Sequence, residues 1–319
     1  METKGRPSKS QEKINFKELS VQNIAVAGTI KGQNVKFFLN TLKSLQFTTN
    51  TEVHFTKIGM KFIAEESQFF QGVAYFSDVF FSRFHFTSKT KELVNFGVDF
   101  TAFSEFLSAI INNDLTSLKI VYYGDHRPIA FILKQQDNET DPNESLSDIS
   151  DEDEEPVQTV KEIVTEYIIR TKHSINPIDF TSIESPIAST ILMDCAELID
   201  IISDLDNATD EIQFKIDGRS FIVKSLGILQ CNTQIPFPSD HKIFKKYNIF
   251  KDTKYSYKFS CFKCMLKALA HSMEVCLETR ENGLLKVQIK GKTIENESSL
   301  FYEYNVMPNV EEDREVIVD

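Results

Sequence analysis

Two pairs of lysines at helical spacing are the residues in this sequence best placed to do chemistry. In 34–45, NVKFFLNTLKSL, the apolar residues Val35, Phe38, Leu39 and Leu42 recur at i, i+3, i+4 and i+7, while Lys36, Asn40 and Lys43 fall on the other side. One face reads as core and the other carries positive charge. The pattern returns in SCFKCMLKALAHS, where Phe262, Met265, Leu266 and Leu269 form the stripe and Lys263 and Lys267 lie opposite. Ammonium groups one or two turns apart suit contacts to a phosphate backbone without reading bases. A single helix of this kind is an ordinary solvated surface, so the recurrence has to carry the argument.

Other chemistry is thinner. Cys261 and Cys264 form a CxxC, but there is no second CxxC and no His pair at zinc-ligand spacing, so both read as small residues buried in the helix. Five cysteines, an odd number at irregular spacing, point to free thiols. Asp99 and Asp125 sit near strand ends without evident partners and read as a helix cap and a turn residue. His54 and His85 alternate with apolar strand residues and read as structural. No GxSxG, phosphate loop or HExxH is present. No catalytic residue, metal or cofactor is therefore expected.

The net charge of -12 disfavours nucleic acid only until the charges are located. Ten of the 47 acidic residues lie in 137–156, DNETDPNESLSDISDEDEEP, which leaves 37 acidic against 35 basic residues elsewhere. The tail 311–319 holds five acidic residues and one basic, so the body between is close to neutral. The acidic tract cannot form a core and reads as a disordered insertion, 137–158, within a hairpin. Ser150 directly precedes DEDE and Ser147 lies just before it, a setting suited to acid-directed kinases. With 41% hydrophobic residues, 27 Phe and no Trp, the rest reads as folded. No apolar run is long enough to cross a bilayer and METKGRPSKSQEK lacks the apolar core of a secretion signal, which points to the cytosol or nucleus and away from membranes.

The elements repeat. Strand Ile24–Ile30 leads into the first lysine helix; VHFTKIG, MKFIAEE, FFQGVAYFS and FFSRFHF read as strands with one buried face. Val94–Val98 then runs into a helix with Phe103, Phe106, Leu107 and Ile110, followed by a hairpin around Gly124 and the strand VKEIVTEYIIR. Residues 173–186, HSINPIDFTSIESP, have two prolines and no period, and read as a connector. After it come IASTILMD, the helix AELIDIISDL, the strands EIQFKID, RSFIVKSLG and ILQCNTQI, a lysine-rich loop, YSYKFS, the second lysine helix, and MEVCLET, LLKVQIK and FYEYNVMP. The expected organisation is a disordered tail (1–22), a first domain (23–172), the connector (173–186), a second domain (187–310) and an acidic tail (311–319).

In that order the pieces resemble eukaryotic DNA sliding clamps. The stretch from Gly32 to Leu45, GVDFTAFSEFL and YEYNVMPNVEED are similar to the proliferating cell nuclear antigen. FTKIGMKFIAEESQFFQGVAYFSDVFF, VYYGDHRPIAFIL and RENGLLKVQIK resemble the Rad-one subunit of the nine-one-one checkpoint clamp. The resemblance implies an α+β protein of two tandem clamp domains, with antiparallel sheets outside and four helices inside. It implies a non-catalytic nuclear subunit of a heterotrimeric ring around duplex DNA. Its partners would be two homologous clamp subunits, a clamp loader, and repair and checkpoint proteins.

Val160–Arg170 and Ile228–Gln234 would be the edges that meet neighbours. Lys36, Lys43, Lys263 and Lys267 would face DNA, joined by Lys57, Lys61 and Arg219 near strand turns. Glu105, Ser108, Asp200 and Ser203 stand where the replicative clamp carries basic residues, so only two of the four helices would be basic. Ile178, Phe180 and Ile183, apolar in a polar connector, would serve a partner's short hydrophobic motif or anchor the loop. The alternatives are a homotrimeric replication clamp, which the acidic insertion and the two unbasic helices disfavour, and a 3'-5' exonuclease, an activity at times credited to relatives. The latter needs several carboxylates held on rigid elements, and the densest ones here lie in a flexible insertion.

Overall fold

The structure is a computed structural model, which describes residues 24–87, 92–101, 103, 115–124, 127–136, 162–183, 185–205, 209–227, 233–291 and 300–309. The first half contains β1 (Val26–Lys31), α1 (Gln33–Ser44), β2 (Asn50–Thr56), β3 (Gly59–Glu66), β4 (Phe70–Ser77), β5 (Arg83–Phe86), β6 (Val94–Asp99), β7 (Leu115–Tyr122), β8 (Ile129–Gln136) and β9 (Glu162–Ile169). A two-residue strand, β10 (Thr171–Lys172), leads to the connector. The second half contains β11 (Ile187–Asp194), α2 (Cys195–Ser203), β12 (Thr209–Ile216), β13 (Ser220–Gly227), β14 (Gln234–Pro238), β15 (Phe244–Ile249), β16 (Thr253–Lys258), α3 (Phe259–Ala270), β17 (Ser272–Arg280), β18 (Leu285–Gly291) and β19 (Leu300–Val306).

Strand pairing makes the repeat explicit. β1 lies between β5 and β7, as β11 lies between β15 and β17. β2 lies between β3 and β6, as β12 lies between β13 and β16. All of these pairs are antiparallel. The halves are joined where β4 pairs with β19, from Leu300 opposite Phe76 to Val306 opposite Phe70, making one ten-stranded sheet. β8 and β9 pair directly from Ile129–Ile169 to Gln136–Glu162, so the acidic tract is inserted in a hairpin, as its sequence position implies.

The helices lie on one side of the sheets. α1 buries Val35, Phe38, Leu39 and Leu42, and the Phe38 ring meets Phe62 and Phe76 at centroid distances of 6.0 and 4.9 Å. In the second half Phe262 of α3 meets Phe214 at 5.4 Å. Each fully buried ring contributes about 1.5–3 kcal/mol through removal of apolar surface from water. α3 packs against both α1 and α2, and polar links tie α1 to the junction strand. The hydroxyls of Thr41 and Tyr302 are 2.8 Å apart, and burial pushes the Tyr302 phenol up to about 12.

Two readings of the sequence are corrected. The lysine-rich loop contains β15, paired to β11; only Phe244, Tyr247 and Ile249 of its six residues are half-buried, which left no clear alternation to read. The strand placed at Ile228–Gln234 is instead β14, Gln234–Pro238, and residues 228–232 lie outside the described region. So do the tails 1–22 and 311–319, the insertion 137–158 with Ser147 and Ser150, and Asp125. The fourth expected helix is described only at Phe100, Thr101 and Phe103, so Glu105 and Ser108 lie outside as well.

Candidate nucleic-acid interface and connector groove

The amphipathic pattern of α1 and α3 is realised as written. With Val35, Phe38 and Leu42 packed on the sheet, Lys36 is left exposed and Lys43 half-exposed on the far face. With Phe262, Met265 and Leu269 packed, Lys263 and Lys267 are exposed. The Lys263 ammonium lies 4.8 Å from the centroid of the Phe259 ring, one turn earlier. Because α1 and α3 are neighbours, the four lysines occupy one continuous helical surface. Lys43 and Lys267 also fall in the last turns of their helices, where a cation is favoured by the helix dipole by about 0.3–1 kcal/mol. On α2 the corresponding outward positions are Asp200 and Ser203, both exposed, so the basic character stops there.

The remaining basic candidates are not brought to this surface together. Lys57 and Arg219 are exposed in the matching β2–β3 and β12–β13 turns, and the Arg219 amide donates to Asp217 Oδ1 at 2.9 Å. Lys61 faces the opposite way. Its neighbours Met60 and Phe62 point into the core under α1, so Lys61 projects from the other face, opposite His54, and joins the connector groove with its ammonium 5.9 Å from the Tyr75 ring centroid. It is removed from the helix-face set.

That groove, about 830 Å³, lies between the connector and the outer face of the sheet. Ile178 and Phe180 line it with Ile63, Val73 and Tyr75; Ile183 is not among its lining residues. Phe180 is only 3% exposed, so it anchors the loop to the sheet. The connector is further held by two carboxylates that the sequence did not reveal. Glu52 Oε1 accepts from the Ser174 hydroxyl and from Asn95 Nδ2 at 3.1 Å, and Oε2 accepts the Ile175 amide at 3.0 Å. Glu65 Oε2 accepts the Ile178 amide at 2.8 Å, while Gln71 Nε2 donates to the Ile178 carbonyl at 2.8 Å and to Glu65 Oε2 at 3.0 Å.

Burial alone would raise the Glu52 pKa. The adjacent His54, 3.5 Å away, the Ser174 hydroxyl and the Ile175 amide outweigh it and hold the carboxyl below its ordinary value of 4.5.

Two other candidates are accounted for. Asp99 accepts the Thr101 amide at 3.0 Å, as a helix cap does, and pairs with Lys172 at 3.0 Å. Cys261 is buried, and burial pushes its thiol up to about 12, far from a thiolate at neutral pH.

Comparison with known proteins places the chain. The pattern of the family described as "Repair protein Rad1/Rec1/Rad17" matches residues 29–290. The Caenorhabditis elegans cell cycle checkpoint protein RAD1 homolog mrt-2 is 21% identical over 284 residues, covering 89% of this chain and 95% of that protein. The DNA damage checkpoint control protein rad1 of Schizosaccharomyces pombe is 25% identical over 268 residues, 80% of this chain and 78% of that one. The Mus musculus cell cycle checkpoint protein RAD1 is 25% identical over 286 residues, 87% of this chain and 91% of that one. Among solved structures, the Proliferating Cellular Nuclear Antigen of Entamoeba histolytica superposes with a TM-score of 0.64 at 14% identity, covering 90% of this chain and all of that one. The repeated sheets with helices on one side are thus the sliding-clamp fold, and the chain belongs to the Rad1/Rec1/Rad17 repair protein family.

Proposed function

We propose that this protein is a non-catalytic subunit of a heterotrimeric nuclear ring that encircles duplex DNA as a checkpoint clamp and carries signalling and repair proteins. The two repeats, 23–172 and 187–310, serve as tandem clamp domains joined by the connector. The carrying observation is the continuous helical surface with Lys36, Lys43, Lys263 and Lys267, set opposite the sheet face that holds the connector. Spaced ammonium groups on rigid helices neutralise phosphates without fixing a register, which is what a sliding contact needs. Lys57 and Arg219 are weaker candidates at the strand turns, away from the helical surface, and Lys57 also lines the connector groove. Asp200 and Ser203 on α2 leave part of the wall without positive charge, which favours a ring whose other members hold DNA more strongly.

Ring closure follows from the repeat. In the repeat, β4 corresponds to β14 and β19 to β9, so the β4–β19 junction within the chain has a counterpart that only two chains can make. β9 and β14 each end a sheet, and β9 exposes Ile163, Val164 and Ile168. Pairing them with neighbouring subunits covers these edges. The connector groove suits a short apolar segment of a repair or checkpoint protein, with Ile178 and Phe180 forming one wall; Ile183, three positions after Phe180 in the chain, is the third apolar candidate of the connector. A clamp loader would open the ring, and Ser147 and Ser150 in the acidic insertion are candidates for phosphorylation.

Mass measurement of the native complex tests the assembly. The expected mass is that of one copy with two different clamp-fold chains; a stable trimer of this chain alone would contradict it.

A further inference from the structure

The β14 edge carries a feature that its counterpart in the first half lacks. Ser225 donates to the Thr233 carbonyl and Ser239 to the Arg219 carbonyl, so the odd-numbered residues of β14 face β13. Gln234, Pro236 and Pro238 therefore turn their backbone groups outward, to the free edge. That edge offers three carbonyls but a single N–H, from Gln234, because proline has none. In the matching junction, Met307 donates to the Phe69 carbonyl, so Phe69, Gln71, Val73 and Tyr75 face β19, and all four have an N–H. Over three outward positions an ordinary strand makes six bonds with its neighbour, whereas β14 can make four. The two partner carbonyls opposite the prolines are left without a donor.

We infer that Pro236 and Pro238 act against a closed ring of identical chains, by weakening the joint that β14 makes with β9 of a second copy. This rests on the ring reading above. The reason is one of multiplicity. A ring of identical chains would repeat the deficient joint at every contact, whereas a mixed ring contains the β14 joint of this chain once. Each missing pair of bonds weakens a joint by about tenfold or more, and the factor multiplies around a closed homotypic ring.

The test is sedimentation velocity of the full chain over a wide concentration range, for the wild type and the double variant Pro236→Val, Pro238→Val, which restores both donors at strand-favouring positions. The wild type is expected to remain a monomer. The double variant is expected to self-associate at a concentration at least about tenfold lower, with each single variant between. Unchanged melting of the variants shows that β14 is still folded. A wild-type chain that closes on itself, or a folded double variant that sediments as the wild type does, overturns the inference. Co-purification of the wild type with two other clamp-fold chains is read on the same samples. If that ring forms while the double variant gains no association, the edge inference fails and the ring reading stands. If no mixed ring forms, the ring reading fails by itself.

Discussion

Reversing Lys36, Lys43, Lys263 and Lys267 together to Glu shortens the lifetime of the loaded ring on DNA by about tenfold or more at moderate salt. The estimate follows from the physics of the contact: each lysine facing a phosphate contributes about one unit to the dependence of log affinity on log salt, so the slope falls by about four. The reversal also places four negative charges on the helical surface where Asp200 already lies nearby on α2. All four side chains project from the faces of α1 and α3 turned away from the core, so the fold survives their exchange. Structural costs include an anion in the last helical turn at Lys43 and Lys267, disfavoured by about 0.3–1 kcal/mol each, and loss of the contact between the Lys263 ammonium and the Phe259 ring. Retention measured at several salt concentrations, with melting as control, separates the two effects. The isolated chain, by contrast, is expected to bind duplex DNA barely above background, because α2 presents Asp200 and Ser203 in place of this charge. Unchanged retention of the reversed ring would show that the helical surface does not contact DNA.

The second large effect is at Glu52. Its carboxylate gathers Ser174, the Ile175 amide and Asn95 at the start of the connector, while being fully buried itself. Glu52→Ala leaves those donors without an acceptor and is expected to cost about 2–4 kcal/mol of stability. The connector, and with it the outer groove, should loosen first, which hydrogen exchange at Ile175 and Ile178 reads. A pH dependence follows from the lowered pKa. A carboxyl that ionises more readily when folded contributes stability that is fully present above its unfolded value, near 4.5, and is lost as pH falls through the folded value. Stability of the wild type should therefore decline on the acid side of 4.5 more steeply than that of Glu52→Gln, which holds the shape without the titration. Parallel acid profiles for the two proteins would show that Glu52 does not hold the connector.

These sites were unequally legible in the sequence. The lysine surface was readable because helical periodicity is local: Phe38 and Leu42 fix where Lys36 and Lys43 must point, and the second copy at Phe262 and Leu269 repeats the rule. For Lys61 the nearness of the strand turn misleads, while alternation with Met60 and Phe62, also local, sends it away from the helices. Glu52 was not readable at all. Its partners Ser174 and Ile175 lie more than a hundred positions away, and a glutamate in a strand reads the same in sequence whether or not a connector later covers it. β15 went unseen for a related reason, since an edge strand with three half-buried apolar residues among lysines resembles a loop until β11 is placed beside it. The prolines of β14 were visible as residues but not as a device, because their direction is set by the register with β13.

Encirclement and affinity are separated by the topology of the DNA. The assembled ring is loaded onto a nicked circular duplex, washed at high salt, and the DNA is then cut once. A ring that encircles DNA is expected to stay on the circle through the wash and to be released within seconds to minutes of linearisation, by sliding off the new ends. Equal retention on circular and linear DNA would contradict it.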